Sequence, residues 1–231
     1  MRAISILLGL GSLAFAAEPI RVQLTTGGHA HDISFYGVLE GQRDFRINVN
    51  PHPSAFRRDL RKDVDVLVVY DMVDVNDEAQ RTRLRDFLES GKGLVVLHHA
   101  LCGNWQWKWW YEEVVGGRYL MKDEGALPKS KFKHDEDMNV TPAAKHPVLA
   151  GIGPFRVHDE TYKDMWISPK STVLLKSDNP TGDPQVAWIG PYRASRVVAI
   201  QLGHGPEAHR LPEYRALVAN AIRWAAGRGS D

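Results

Sequence analysis

Apolar residues along the chain fall into two kinds of pattern. The first is the short run bounded by turn residues, which predicts strands. Ile20-Arg-Val-Gln-Leu24 is one, and it ends in Thr25-Thr26-Gly27-Gly28. Phe45 to Val49, Val64 to Tyr70 and Gly93 to Leu97 follow, then Thr172 to Leu175, Gln185 to Trp188 and Arg196 to Ile200. The runs ending at Tyr70 and Leu97 are nearly continuous, as strands covered on both faces require. The second pattern repeats every three or four residues. Asp32 is placed to cap a helix running to Leu39, with Gly41 as its stop. Asn76 or Asp77 opens another that aligns Leu84, Phe87 and Leu88 and stops at Ser90-Gly91. Trp105 to Val115 reads as an aromatic helix ended by Gly116-Gly117. The last helix puts Leu211, Tyr214, Val218, Ala221, Ile222 and Ala225 on one stripe and stops at Gly227. Between about Arg118 and Pro154 the pattern is irregular, with one strand near Met138 to Thr141. Strands alternating with helices predict an α/β domain with a mainly parallel sheet and right-handed crossovers.

The N-terminus departs from this alternation. Arg2 precedes an apolar run from Ile4 to Phe15, broken by Gly9 and Gly11, and Ala14-Phe15-Ala16 supplies small residues two apart. That pattern reads as a cleavable secretory signal over residues 1–17, leaving a single domain over 18–231 in a periplasm or outside the cell. The run is too short to span a bilayer, which needs about 20 apolar residues, so the mature form is expected to have no membrane association. Net charge is +1 with both signs dispersed, which argues against a nucleic-acid partner. Cys102 is the only cysteine, so an intrachain disulfide and a multi-cysteine zinc site are excluded. The sequence leaves a homo-oligomer open.

Histidine is the unusual abundance, with 10 residues. Four polar clusters follow apolar runs: Gly27-Gly28-His29-Ala30-His31-Asp32, His98-His99, His158-Asp159-Glu160, and Gly203-His204-Gly205. In open α/β sheets ligands bind beyond the carboxyl ends of strands, so the four are expected on one rim. His31, His98, His204 and Glu160 are the candidate catalytic groups and equally the candidate metal ligands. Imidazole titrates near neutrality, and with a carboxylate it also holds Zn²⁺, Mn²⁺, Ni²⁺ or Fe²⁺. His29, His99 and Asp159 are candidates for substrate binding, with His98 expected to face the pocket and His99 to pack. Trp110 and Tyr111 are added because aromatic faces stack on sugar rings, although most of the Trp105 to Tyr111 cluster is expected in the core. His52, His134, His146 and His209 default to structural or surface roles. Cys102 lacks the flanking pattern of a nucleophile, and no GxGxxG or Walker pattern is present, so no nucleotide cofactor is expected.

These motifs together resemble the ThuA-like (trehalose-utilisation) family. The resemblance rests on Gly28 to Asp32, Gly91 to Ala100, Trp110 to Tyr119, His146-Pro147 with Gly151, Asp159-Glu160-x-Tyr162, Leu202-Gly203-His204, and Pro212 to Arg215 with Ala221 to Gly227. It implies a flavodoxin-like, three-layer fold of the class I glutamine-amidotransferase type. It also implies a role in catabolism of trehalose or oxidised 3-keto sugars. In amidotransferases the turn after the strand matching Leu94 to Leu97 carries a cysteine nucleophile; His98 stands there in this chain, so amidotransferase chemistry does not carry over. The expectation is an exported enzyme acting on a small-molecule carbohydrate, a disaccharide or 3-keto-sugar derivative, by hydrolysis, hydration or elimination. The alternative is a carbohydrate-binding protein without turnover.

Overall fold

The structure is a computed structural model and describes residues 17–228. The secretory-signal reading of the N-terminus therefore falls almost wholly outside the described residues. The elements in chain order are β1 (Ile20–Gly27), β2 (Phe45–Val49), β3 (Val66–Asp71), α1 (Glu78–Glu89) and β4 (Gly93–Leu97). Next come β5 (Gly117–Arg118), β6 (Lys131–Pro142), β7 (Phe155–Lys163), β8 (Trp166–Ile167), β9 (Thr172–Ser177), β10 (Gln185–Ile189) and β11 (Val197–Ile200). Two helices close the chain, α2 (Pro206–Arg210) and α3 (Pro212–Ala225).

A sheet of nine strands runs in the order β2-β1-β3-β4-β11-β10-β9-β6-β7. The pairs from β2 through β11 are parallel, and those from β11 through β7 are antiparallel. The parallel half is the one the strand–helix alternation predicts. The antiparallel half arises where consecutive strands follow without a crossover helix.

Side-chain alternation along the parallel strands feeds two cores. Val22, Leu24, Val66, Val68, Val95 and Leu97 pack under Tyr214, Leu217, Val218 and Ile222 of α3. Leu67, Val69, Leu94 and Val96 pack on the other face against Leu84, Phe87 and Leu88 of α1 and against Trp107, Trp110 and Val114. The result is three layers with the sheet in the middle. Asp77 caps α1 by accepting the Gln80 N–H, and Asp32 caps a 3-10 turn (Ile33–Gly37) shorter than the expected helix. The aromatic helix is a π-helix over Trp109–Val115. Among the described residues no helix is long and apolar enough to cross a membrane.

Candidate functional site

The apolar run of β4 ends at Leu97, and the backbone then turns sharply: His98 has φ +40. A non-glycine residue rarely holds that conformation, and such strain concentrates at functional positions. The turn drives His98 into the interior, where it is fully buried. Its Nδ1 lies within hydrogen-bond distance of the Gln201 carbonyl. A carbonyl only accepts, so Nδ1 carries the hydrogen and Nε2 presents its lone pair to the pocket. That Nε2 lies 2.8 Å from Glu160 Oε2, 3.2 Å from His204 Nδ1 and 3.1 Å from the Tyr162 hydroxyl. Two lone pairs facing each other at 2.8 Å need a proton or a cation between them.

His99 also turns inward. It is buried, and its Nε2 has no hydrogen-bond partner among the described residues. The His29 ring covers it, with ring centroids 4.1 Å apart. Burial, followed by the neighbouring His98, His29 and His204, lowers the His99 pKa to about 2. Ligand atoms of His98, His99, Glu160 and His204 all lie within 4.8 Å of one another. Burial pushes the Glu160 carboxyl up, but hydrogen bonds from His204 and His98 outweigh it, and the group ends well below the usual range. The same contact with Glu160 raises the pKa of His204.

The supports of this cluster are polar and specific. The Gln201 side-chain amide donates to the Glu160 carbonyl at 2.9 Å. Asp159 accepts the backbone N–H groups of Gly203 at 2.6 Å and His204 at 2.9 Å. Gly203 has φ +109, and a Cβ there would lie 2.1 Å from the Tyr214 hydroxyl, so only glycine permits the turn. The Tyr70 hydroxyl and His209 Nε2 both donate to the Gly203 carbonyl, at 2.8 and 2.9 Å. On the other rim Gly28, at φ +76, lies so close to Met72 that a Cβ would meet its carbonyl oxygen at 2.1 Å.

Several expectations are revised by this geometry. The His158-Asp159-Glu160 cluster does not follow a strand but lies within β7, which extends from Phe155 to Lys163. Successive strand residues point to opposite faces, so Asp159 holds the His204 turn while Glu160 and Tyr162 face the histidines. His31 is outside the cluster: its Nε2 sits 3.2 Å from the Tyr36 hydroxyl and its ring meets Tyr70 edge-on. Its expected place in the cluster is taken by His99, which does not merely pack. Trp110 is core, stacked with Trp107, and Tyr111 lies under the Arg118 guanidinium at 3.8 Å. Both serve packing, because the π-helix lies against the α1 face of the sheet. His29 remains at the rim, exposed over His99.

His134 is exposed, as a surface role requires, yet it also reaches the cluster. In the β6–β7 ladder Lys133 pairs with Thr161 and Glu136 with Asp159. His134 and Asp135 therefore bulge opposite Glu160 alone, and such bulges re-aim side chains. His134 Nδ1 reaches to 3.3 Å from Glu160 Oε1. The other three defaults are structural. His52 pairs with buried Asp71 at 2.6 Å, His146 caps a short turn at Pro147–Leu149, and His209 bridges Ser34 and Gly203. Tyr162 and Gln201 are additions. Tyr162 shared a motif with Glu160, and its i+2 spacing on a strand was the available signal. Cys102 is buried near Tyr162, and burial lifts its thiol to about 12.

The cluster opens on a cleft of about 280 Å³ whose lining includes His134, His158, Glu160, His204 and Glu207. Hollows of about 480 and 490 Å³ lie at the opposite end of the sheet, by Gly91 and Arg196, and along β2, by Arg21 and Arg46. They are larger but lack a comparable cluster of buried ligating groups. Chemistry rather than volume marks the site.

The ThuA family profile, described as trehalose utilisation, matches residues 21–225. The chain belongs to the ThuA family. The match covers both halves of the sheet and every residue of the histidine–glutamate cluster. No curated protein matches the chain. Among solved structures, a protein described as ThuA-like from Parabacteroides merdae superposes with a TM-score of 0.78 at 18% identity, over 93% of this chain and 92% of that one. One from Bacteroides uniformis gives 0.67 at 19% identity, over 95% and 97%. A protein from Thermoplasma acidophilum, described as part of a GMP synthase, gives 0.55 at 13% identity, over 92% and 96%. These likenesses concern the fold, and they agree with a flavodoxin-like, glutamine-amidotransferase-like architecture. Family membership connects the chain with sugar metabolism.

Proposed function

We propose that this ThuA protein is an exported enzyme of sugar catabolism. Its reaction centre would be the His98–His99–Glu160–His204 cluster with one divalent metal, and its substrate a neutral disaccharide or 3-keto-sugar derivative. The observation that carries the reading is the buried, unpartnered Nε2 of His99 beside an Nε2 of His98 that faces a carboxylate. Unpaired buried polar atoms are costly and rare in folded proteins, and a cation accounts for both. Three imidazole nitrogens and one carboxylate oxygen suit Zn²⁺, Mn²⁺, Ni²⁺ or Fe²⁺. The Gln201 carbonyl on His98 Nδ1 is the usual outer partner that fixes a ligating tautomer.

A divalent metal bound there would polarise a carbonyl or hydroxyl oxygen of the sugar. The remaining roles belong to the chain. The Tyr162 hydroxyl lies 3.1 Å from His98 Nε2; with that nitrogen engaged by a metal, the hydroxyl would be free to donate to a substrate oxygen. His134, beside Glu160 yet outside the four ligating groups, is placed at the mouth to carry a proton. In a 3-keto glycoside it would take the proton from the carbon next to the keto group. The C–H electron pair would form a double bond, and the glycosidic oxygen would depart and be protonated. Purified protein should turn over 3-keto glycosides, and His98→Ala should abolish that turnover. Absence of activity on 3-keto glycosides and neutral disaccharides, with binding retained, would favour a carbohydrate-binding role instead. Export is tested by fractionation, with processing near Ala16 or Ala17.

A further inference from the structure

Phe132 is an apolar side chain that the fold leaves in water and the proposed chemistry does not use. It is 57% exposed, more than any other Phe, Tyr or Trp among the described residues, and it belongs to none of the hydrophobic clusters. In the β6–β7 ladder it lies opposite Tyr162, and residues directly opposite share a face. Tyr162 and Glu160 are two apart on β7, so Phe132 stands on the face that carries the reaction centre. Its ring meets His134 edge-on at 5.1 Å, and the His134 ring lies 4.8 Å from that of His204. His134 and His204 both line the cleft. The three rings therefore form a wall that starts inside the cleft and ends on Phe132, just outside it. Lys131 and Lys133 flank Phe132 but alternate to the other face, and they are paired with Asp164 at 3.1 Å and Glu136 at 2.6 Å. What the chain presents beyond the cleft mouth is thus a neutral, accessible aromatic face.

Resting on the sugar-site reading, we propose that Phe132 is a stacking platform for the second ring of a disaccharide whose first ring is held in the cleft at Glu160. The cleft, at about 280 Å³, falls below the roughly 300–1,000 Å³ usual for pockets that enclose a drug-sized ligand. A second ring therefore projects past His134, and Phe132 is the surface it meets. An aromatic face carries partial negative charge and pyranose C–H groups partial positive charge, so a sugar ring laid flat on Phe132 gains contact without a hydrogen bond. The hydroxyls at the edge of that ring stay in water, and their desolvation is avoided. Phe132 is in this way a specificity residue. It favours two-ring substrates over single sugars and takes no part in metal binding or proton transfer.

Calorimetry on the full chain with trehalose and methyl α-glucoside tests this, and because Phe132 is exposed its replacement leaves the core intact. F132A should weaken trehalose binding about fivefold or more, with methyl α-glucoside and Zn²⁺ binding changed by less than about twofold. F132W should restore trehalose affinity. Fluorine NMR of the wild-type sequence labelled with para-fluorophenylalanine gives a second readout: the resonance absent from labelled F132W should shift with trehalose and not with methyl α-glucoside. Unchanged trehalose affinity in F132A, or an unshifted resonance, would overturn the platform and leave the sugar site standing. An equal loss for both sugars would put the ring against the first sugar and overturn the second-ring assignment. If neither sugar binds wild type, both readings fall.

Discussion

Replacing His99 with Gln should make the metal-free protein less sensitive to acid. In the folded chain burial and three neighbouring imidazoles lower the His99 pKa from 6.5 to about 2. The unfolded chain takes up a proton there as pH falls below about 6.5, while the folded chain stays neutral until near pH 2. The unfolded state binds more protons in that window, so stability drops as pH drops. Each unit well inside the window costs about 1.4 kcal/mol. From pH 6.5 to 4.5 this comes to about 2 kcal/mol, because at the upper limit the unfolded group is already half protonated. That is a measurable share of the roughly 5–15 kcal/mol typical of a domain. Other groups act equally on both proteins. His209, lowered by burial, cancels in the comparison. The contribution of His204, whose pKa is raised, is in place below its unfolded value and is lost only as pH rises. Glu160, whose pKa is depressed, contributes above its unfolded value and weakens only at lower pH. Urea unfolding of wild type and His99→Gln, with chelator, at the two pH values gives the difference directly. Wild type should lose about 2 kcal/mol more than the variant over this interval. Parallel losses would refute a buried, neutral His99.

Asp159→Asn should weaken metal binding about 10- to 100-fold without removing a ligand, because it loosens the turn that carries His204; a metal titration reads this. Trp110→Ala should cost about 3–5 kcal/mol of stability by emptying a core position, with glycoside affinity unchanged in calorimetry at a temperature where the variant stays folded. Cys102, with its thiol lifted to about 12, should resist iodoacetamide at about pH 8 in native protein and react on denaturation, as mass spectrometry would show.

How far the sequence carried the reading depended on whether a property was local. Phe45–Val49 kept its limits as an edge strand with only Phe45 buried. Gly93–Leu97 kept its limits too, since a buried strand must be apolar throughout. The stripe from Leu211 to Ala225 became one face of α3 for the same reason. The Met138–Thr141 strand proved three times as long, because the exposed, charged residues of its first half give no periodic signal. His98, Glu160 and His204 were legible as strand-associated polar groups. His99 was misjudged because adjacent strand residues diverge, and the strained turn at His98 breaks that rule. His31 was overestimated because nearness to a strand end does not fix side-chain direction. His134 owes its place to a bulge, which depends on pairing with a distant strand.

The most direct test of the central claim is calorimetric titration of chelator-treated protein with Zn²⁺ and Mn²⁺, for wild type and Glu160→Gln side by side. One metal ion per chain should bind wild type, with binding lost or greatly weakened in the variant. Absence of binding to wild type, or equal binding to both proteins, would contradict the assignment of the histidine–glutamate cluster as a metal centre.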